Sequence, residues 1–498
     1  RLGVDVRIVD KTAAAGTTSR ALAVHARTLE LYRQIGIADE IVAHGLELPA
    51  LNVWARGRHV ARVAFGDIGR GLSPFPYVLM LPQDEHEEIL VAHLARLGVD
   101  VERRTELLGF EDRGDRVISR LRGPDGGETT VESSFIAGCD GAHSTVREAL
   151  GIGLPGGTYE RVFYVADVEL HGPVDDHELH IAVDEADFVA VFPMKGAHRA
   201  RLIGTVRRDA KAEAEHPLAW SDVSQQAVER MKVTVEKVRW FSTYRVHHRV
   251  ADRFRAGRAF LAGDAAHIHS PVGGQGMNTG IGDAVNLAWK LAATIRDRAH
   301  PSILESFEPE RIAFARRLVA TTDRAFSFAT QEGALVRRVR LDVFPRLAAA
   351  IFKGQAARRF LFRTVSQTLV NYRGRPLSEG KAGRVRGGDR LPWVLFDDNG
   401  AGDNGAGDNF VPLTSVDWQL HVYGAPAPAL LTECSQRHLA LHAFAWRPRM
   451  ADAGFARNAA YLVRPDGYVA LADGEARAEN LARYVDAHGL RFSAMASR

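Results

Sequence analysis

The residues best suited to chemistry are acids that close apolar runs and glycines that bare the backbone beside them. Asp264 follows the run Ala259 to Ala262 and Gly263, so it falls at the carboxyl end of a buried strand, where open α/β sheets place their ligands. A carboxylate there can grip a polyol. Between Pro271 and Gly280, four glycines (Gly273, Gly274, Gly276 and Gly280) leave backbone N–H groups uncovered, and a helix begins soon after them. That is an anion site, with the positive end of a helix dipole facing it. Asp10 and Asp140 close two further apolar runs. The sequence offers no Ser-His-Asp set, no metal cluster and no paired carboxylates that need another explanation. A lone Gly-Asp pair has a plainer reading too, as a turn whose acid caps a helix.

These groups need elements to hold them. The helix after the glycines is expected over roughly Ile281 to Arg296, with Leu287, Leu291 and Ile295 at i, i+4 and i+8 forming the stripe that packs on a sheet. Residues 1 to 10 read as the last turn of a helix, a glycine and a buried strand from Val4 to Val9. A helix running to about Ile35 ends at Gly36. Leu51 to Phe65 alternates as a hairpin turning near Gly57. Val99 to Arg103, Leu107 to Asp112 and Arg116 to Leu121 read as a small meander with a Gly-Pro-Asp-Gly-Gly turn at 123 to 127. Alternating strands between Tyr159 and Val250 imply an antiparallel sheet with one dry face.

Composition narrows the class. At 498 residues, with 46% apolar and 25% charged residues, the chain is an ordinary soluble protein of about three domains at ~150 residues each. No run approaches the ~18 apolar residues of a membrane span. The net charge of +3 is spread among interspersed acids and bases, which disfavours nucleic acid as a partner. Only Cys139 and Cys434 occur, far apart, so neither a disulfide framework nor a thiol redox pair is expected, and a cytoplasmic setting fits.

The full string GDAAHIHSPVGGQGMNTGIGDAVNLAWKL, residues 263 to 291, closely resembles the ribityl-binding motif of FAD-dependent aromatic hydroxylases, flavoprotein monooxygenases of the p-hydroxybenzoate hydroxylase type. CDGAHSTVRE, residues 139 to 148, resembles that family's second motif, which serves the FAD pyrophosphate and the pyridine nucleotide. The resemblance gives Asp264 the ribityl chain, and Gly276, Met277 and Asn278 the pyrimidine edge of the flavin. It places Asp10 on the adenosine ribose with Lys11 beside it, Arg20 on the pyrophosphate and Gln83 on the flavin side. Leu107 is placed near the adenine, and Asp140 in the second motif. His143 and Arg147 are candidates for NAD(P)H phosphates, and Pro271 brings a carbonyl toward a phenol. Plainer readings stand beside these. Lys11 is equally a solvated end-of-strand charge, His143 a helix-start histidine, and Pro271 a loop-rigidifying proline. Phe188, Phe192 and Met194 alternate on one face as a candidate substrate pocket, although core packing alone accounts for such a stripe.

The fold implied is α/β, in part α+β. A discontinuous, Rossmann-like three-layer FAD domain covers 1–48, 81–157 and 249–330, and an inserted antiparallel-sheet substrate domain covers 49–80 and 158–248. A helical connection spans 331–385, and 386–498 is expected to be thioredoxin-like, because LVRPDGYVAL resembles the hairpin closing that domain in the larger hydroxylases. VRGGDRLPWV at 385 to 394 reads as a linker, and GAGDNGAGDN at 400 to 409 as a solvated loop. Counting back from Asp10, the G-x-G-x-x-G turn falls before residue 1, so the first βα unit is expected to be missing and pyrophosphate binding by the chain as given to suffer.

The activity implied is hydroxylation of an aromatic compound (a phenol, a polyketide or an antibiotic) with NADPH or NADH and O2, oxygen being delivered from a flavin hydroperoxide. A homodimer is compatible with this. A halogenase is disfavoured because its Trp-x-Trp-x-Ile-Pro string is absent. A non-catalytic aromatic-ligand binder and another flavin oxidoreductase are the alternatives, and flavin absorbance separates the binder from the enzymes.

Overall fold

The computed structural model describes residues 1–16, 21–55, 57–65, 68–174, 176–183, 188–206, 218–223, 226–270, 273–330, 354–396 and 407–492. Among them Ala259–Leu261 pairs in parallel with Ile136–Gly138, and Ile8–Asp10 pairs in parallel with Val101–Arg103. Ala259, Phe260 and Leu261 are each fully buried, as a strand covered on both faces must be. The sheet strands thus end at Gly138 and Leu261 just before Asp140 and Asp264, and at Asp10 itself.

An eight-stranded sheet forms the second layer system. Its order is His267–Ile268, Thr234–Val250, Gly156–His171, Arg199–Val206, Phe188–Pro193, Leu179–Val183, Ala50–Ala55, Arg58–Ala64. The long strands Gly156–His171 and Thr234–Val250 pair antiparallel through most of their length, with register shifts that bend them. The hairpin about Gly57 joins at one edge, its first strand running parallel to Leu179–Val183.

A six-stranded sheet closes the chain, in the order Val385–Arg386, Glu379–Ala382, Val469–Asp473, Ala460–Val463, Gln419–Tyr423, Ala440–Phe444. Gln419–Tyr423 and Ala440–Phe444 are parallel, joined through the helix Pro428–Arg437. Ala460–Val463 and Val469–Asp473 add antiparallel strands before the helix Ala478–Ala487. Leu420, Leu462 and Leu471 from this sheet share one core with Phe260, Leu287 and Phe307, so hydrophobic packing fuses it to the glycine-motif region.

Several sequence expectations change. The first strand is only Ile8–Asp10, and Val6 is 56% exposed. Val101–Arg103 leaves the meander to pair with it, and a strand not anticipated, Glu128–Ser133, takes the third place beside Glu106–Asp112 and Val117–Arg122. The helix after the glycines starts earlier, at Gly276, and its stripe fades outward from buried Leu287 to exposed Ile295. Residues 385 to 394 are no linker: Val385 and Arg386 form a strand, and Leu391 and Val394 are buried. Asp408 and Asn409 are likewise buried, Asp408 accepting from Arg33 at 2.7 Å. No helix among the described residues is long and apolar enough to cross a membrane.

Candidate flavin site

Asp264 lies exposed in the single 3-10 turn Gly263–Ala265 that follows the strand Ala259–Leu261. Gly263 has φ +60°, and a Cβ on Gly280 would lie 3.2 Å from the Gly263 Cα. The two glycines let the turn sit against the helix Gly276–Ile295. Gly274 also has φ +60°, and a Cβ there would come within 2.8 Å of the Ala23 Cβ, so side chains are excluded twice over. Gln275, the residue before the helix, makes no side-chain cap. The first N–H groups of a helix have no intrahelical acceptor, which leaves those of Gly276, Met277 and Asn278 directed out of the helix end beside the glycine loop.

The side chain of Asn278 fixes that end in place. Its Oδ1 accepts from the His25 N–H at 2.9 Å and the Thr28 hydroxyl at 2.7 Å, while its Nδ2 donates to the carbonyls of Ala23 and Gly274, both at 2.9 Å. Replacing Asn278 by Ala strands four partners, of which His25, Thr28 and Ala23 are buried and Gly274 half-buried. With unpaired buried groups costing roughly 1–3 kcal/mol each before relaxation, we expect a net loss of about 2–4 kcal/mol. Thermal melts of the N278A protein check this, and a change below about 0.5 kcal/mol would show that the bonds are dispensable.

Below the loop, Asp283 is fully buried and accepts from the Gly263 N–H at 3.1 Å, from His267 Nε2 at 2.7 Å and from Arg311 Nε at 2.5 Å. Burial alone would raise its carboxyl, but Arg311 and His267 outweigh that and hold it below the ordinary carboxylate range. Arg311 also donates to the Thr279 carbonyl, tying the first turn of the helix to the same carboxylate. His25, His86 and His269 ring the loop. Burial pulls each down to about 4, so all three are neutral at physiological pH. His25 Nε2 meets the Gly273 carbonyl at 2.9 Å, and His86 lies against the Met277 sulfur at 3.3 Å.

The other residues singled out from sequence are placed as follows. Asp10 accepts from Arg103 at 2.9 Å and from the Thr12 N–H and hydroxyl, and Lys11 is exposed. Gln83 opens the helix Gln83–Arg96, its Oε1 accepting from the Ala21 N–H at 3.3 Å. Leu107 pairs with Leu121 just before a bulge. Asp140 is exposed and accepts from the Val146 N–H, at the start of the helix Thr145–Ala149.

His143 is exposed. Arg147 is buried, and its guanidinium donates to the Ala265 carbonyl at 3.1 Å and the Ala142 carbonyl at 2.8 Å. The bond to Ala265 stitches the two motifs together. Met194 is buried and Phe192 half-buried in one cluster with Leu22, Met80 and Leu179. Arg20, Pro271 and the side chain of Phe188 lie outside the described residues.

Sequence reasoning missed the ionic core beneath the site. Glu310 bonds Lys290 Nζ at 2.8 Å and Arg464 at 2.7 and 3.0 Å, and Arg464 in turn holds Asp466 at 2.6 Å. All are buried. Arg27 is buried against Glu30 and donates to the Asp466 carbonyl. Glu30 also pairs with Arg390 at 2.7 Å. Only the helical phase of Asp283, Asn286 and Lys290 hinted at this, three polar groups on one face of an otherwise apolar helix.

A carboxylate beside a backbone-rich anion cradle at a sheet end suits the ribityl chain and pyrimidine edge of a flavin, so fold and site together define a FAD-dependent aromatic hydroxylase. Residues 1–322 match the family model described as FAD binding domain, and the chain belongs to that family. It is 38% identical over 335 residues to 6-methylpretetramide 4-monooxygenase of Streptomyces rimosus, the match covering 67% of this chain and 60% of that protein. It is 31% identical over 507 residues to a flavin-dependent monooxygenase of Mycobacteroides abscessus, covering 97% and 96%. Among solved structures it is similar to OxyS anhydrotetracycline hydroxylase from Streptomyces rimosus, with TM-score 0.76, 28% identity and coverage of 97% and 94%.

Proposed function

We propose that this hydroxylase acts on a fused-ring phenolic compound of polyketide type, with NADPH or NADH as the reductant and O2 as co-substrate. The observation that carries the proposal is the uncapped helix end at Gly276–Asn278 beside Asp264. The names of the relatives, which act on 6-methylpretetramide and anhydrotetracycline, support the substrate class.

Bound FAD supplies the redox chemistry when reduced by the nicotinamide and reoxidised by oxygen. The chain's own residues bind, orient and exclude. Asp264 accepts hydrogen bonds from the ribityl hydroxyls. The N–H groups of Gly276, Met277 and Asn278 stabilise negative charge at the pyrimidine edge, an effect the helix dipole adds to. Because His25, His86 and His269 are neutral, they add no cation to that field and no titration step between pH 5 and 8. Phe192 and Met194 furnish an apolar wall that limits water near the reacting centre. Asp10 takes the adenosine ribose, with Gln83, Leu107 and Asp140 around the rest of the cofactor, and Pro271, outside the described residues, is the candidate substrate contact. Two unpaired cysteines, Cys139 and Cys434, fit a reducing, cytoplasmic setting. We take the six-stranded C-terminal unit to be a thioredoxin-like domain serving structure or homodimer formation, and burial, which pushes the Cys434 thiol up to about 12, argues against a redox role for it.

The test is NADPH consumption by the FAD-loaded protein, with and without phenols and tetracyclic polyketides, combined with mass analysis under labelled oxygen. Substrate-stimulated consumption with one labelled oxygen atom in the product is the expected result. A flavin-loaded protein that oxidises no nicotinamide with any of these compounds would overturn the reading.

A further inference from the structure

We infer that a groove framed by the helix Gln355–Val365 and residues 368–371 and 389–395 binds the phosphate-bearing adenosine half of a pyridine dinucleotide. The inference rests on the reading that a nicotinamide reduces this enzyme. The groove encloses about 1380 Å³, and seven arginines line it against two aspartates, Asp389 and Asp452.

Four of the seven arginines are already committed to acceptors of the chain. Arg373 makes a two-pronged pair with Asp389 at 2.6 and 2.9 Å, and Arg390 pairs with Glu30. Arg384 and Arg449 donate to the backbone carbonyls of Ala451 and Leu395. The other three, Arg70, Arg359 and Arg363, have no hydrogen bond or ion pair from their guanidinium groups among the described residues. Arg359 Nη2 lies 4.0 Å from the position a Cβ on Gly71 would take, which brings it beside the loop carrying Arg70. Arg70 and Arg359 also line a second, smaller concavity next to the first.

Seven guanidinium groups gathered against two carboxylates repel one another. Burial, and then the positive charges of Arg390, Arg359 and Arg373, lower the pKa of Arg363 despite the opposing pull of Asp389. A polyanion relieves this, and guanidinium groups are the side chains whose fork matches phosphate oxygens. Two features favour a nucleotide over a simple ion. The groove is far larger than a phosphate needs, and Phe360, 66% exposed between Arg359 and Arg363 in sequence, offers a ring face to a base. Its place also suits a reductant. Thr368, in the groove wall, follows Gln367, whose amide donates to the Thr279 hydroxyl at 2.9 Å and the Gln275 carbonyl at 3.3 Å in the flavin loop.

The experiment measures binding of 2′,5′-ADP, NADPH and pyrophosphate to the FAD-loaded full chain by calorimetry, comparing it with the double variant R359Q/R363Q. Both residues are exposed, so FAD content and melting temperature should be unchanged. The inference expects the variant to bind 2′,5′-ADP and NADPH about tenfold or more weakly, with a matching rise in KM for NADPH. Pyrophosphate should bind far more weakly than the nucleotides. Equal affinities in variant and parent, no binding of 2′,5′-ADP to the parent, or pyrophosphate binding as tightly as the nucleotides would each overturn it. If the parent oxidises NADPH while the variant binds it unchanged, the groove assignment falls and the hydroxylase reading stands. Nucleotide binding lost in the variant but without NADPH oxidation in the parent leaves the groove and removes the reading.

Discussion

Asp264→Ala is expected to leave a folded protein that no longer retains FAD through gel filtration. The carboxylate stands exposed at the end of the strand Ala259–Leu261, on the same turn that Gly263 and Gly280 press against the helix Gly276–Ile295. A hydrogen bond to a charged group is worth about 1.5–3 kcal/mol, so losing two polyol contacts raises the FAD dissociation constant roughly a hundredfold or more. Folding should change little, because the residues that hold the turn, Asp283 and Asn278, are untouched. The flavin-to-protein absorbance ratio after purification, read beside a thermal melt, measures both. Normal flavin retention by the variant would remove Asp264 from the ribityl position.

The second large effect is expected at Glu310, where alanine would leave Lys290 without its carboxylate and Arg464 with Asp466 alone, both cations having no exposure at all. Breaking a buried pair in this way typically costs about 3–5 kcal/mol. Here one carboxylate serves two cations, so the upper part of that range is expected in urea unfolding. A loss under about 1 kcal/mol would mean that water or rearrangement compensates the charges. The same group sets an acid limit. Burial opposes its ionisation, yet Arg464 and Lys290 draw its pKa down from 4.5 to about 2. A folded-state value below the unfolded one favours folding above pH 4.5, and the contribution is lost as pH falls toward 2. Stability of Glu310→Gln should therefore fall less steeply than that of the parent over this window.

What the sequence made legible was local. The glycines at 273, 274, 276 and 280 and the acid at 264 lie within one strand-turn-helix unit, and their spacing is their geometry. The eight-stranded sheet was equally readable, since alternation along its long strands reports a dry face. What stayed hidden is built from partners distant in sequence: Arg27 reaches the Asp466 carbonyl across 439 positions, and Arg390 reaches Glu30 across 360. Charged residues read one at a time look like solvated surface, which is why the stretch 385 to 394 reads as a linker. Arg147 is a second case, its guanidinium reaching the Ala265 carbonyl in the other motif, a contact that neither motif displays by itself. Val6 shows a third, an apolar residue in a strand-like run that stays outside the strand.

The union of Glu310 and Lys290 with Arg464 and Asp466 bears on how such a chain can be recombined with its relatives. The first two residues come from the helices beneath the flavin loop, and the last two from the hairpin between Ala460–Val463 and Val469–Asp473. A chimera whose crossover falls between these helices and that hairpin inherits half of a charge quartet from each parent. It can fold well only where both parents carry the same four residues at matching depth, because each half is net neutral but an unmatched one loses the Glu310–Arg464 bonds that satisfy its buried charges. The C-terminal unit is thus not a freely exchangeable cassette, and productive hybrids should be those that move the helix bearing Lys290, the segment bearing Glu310 and the hairpin together.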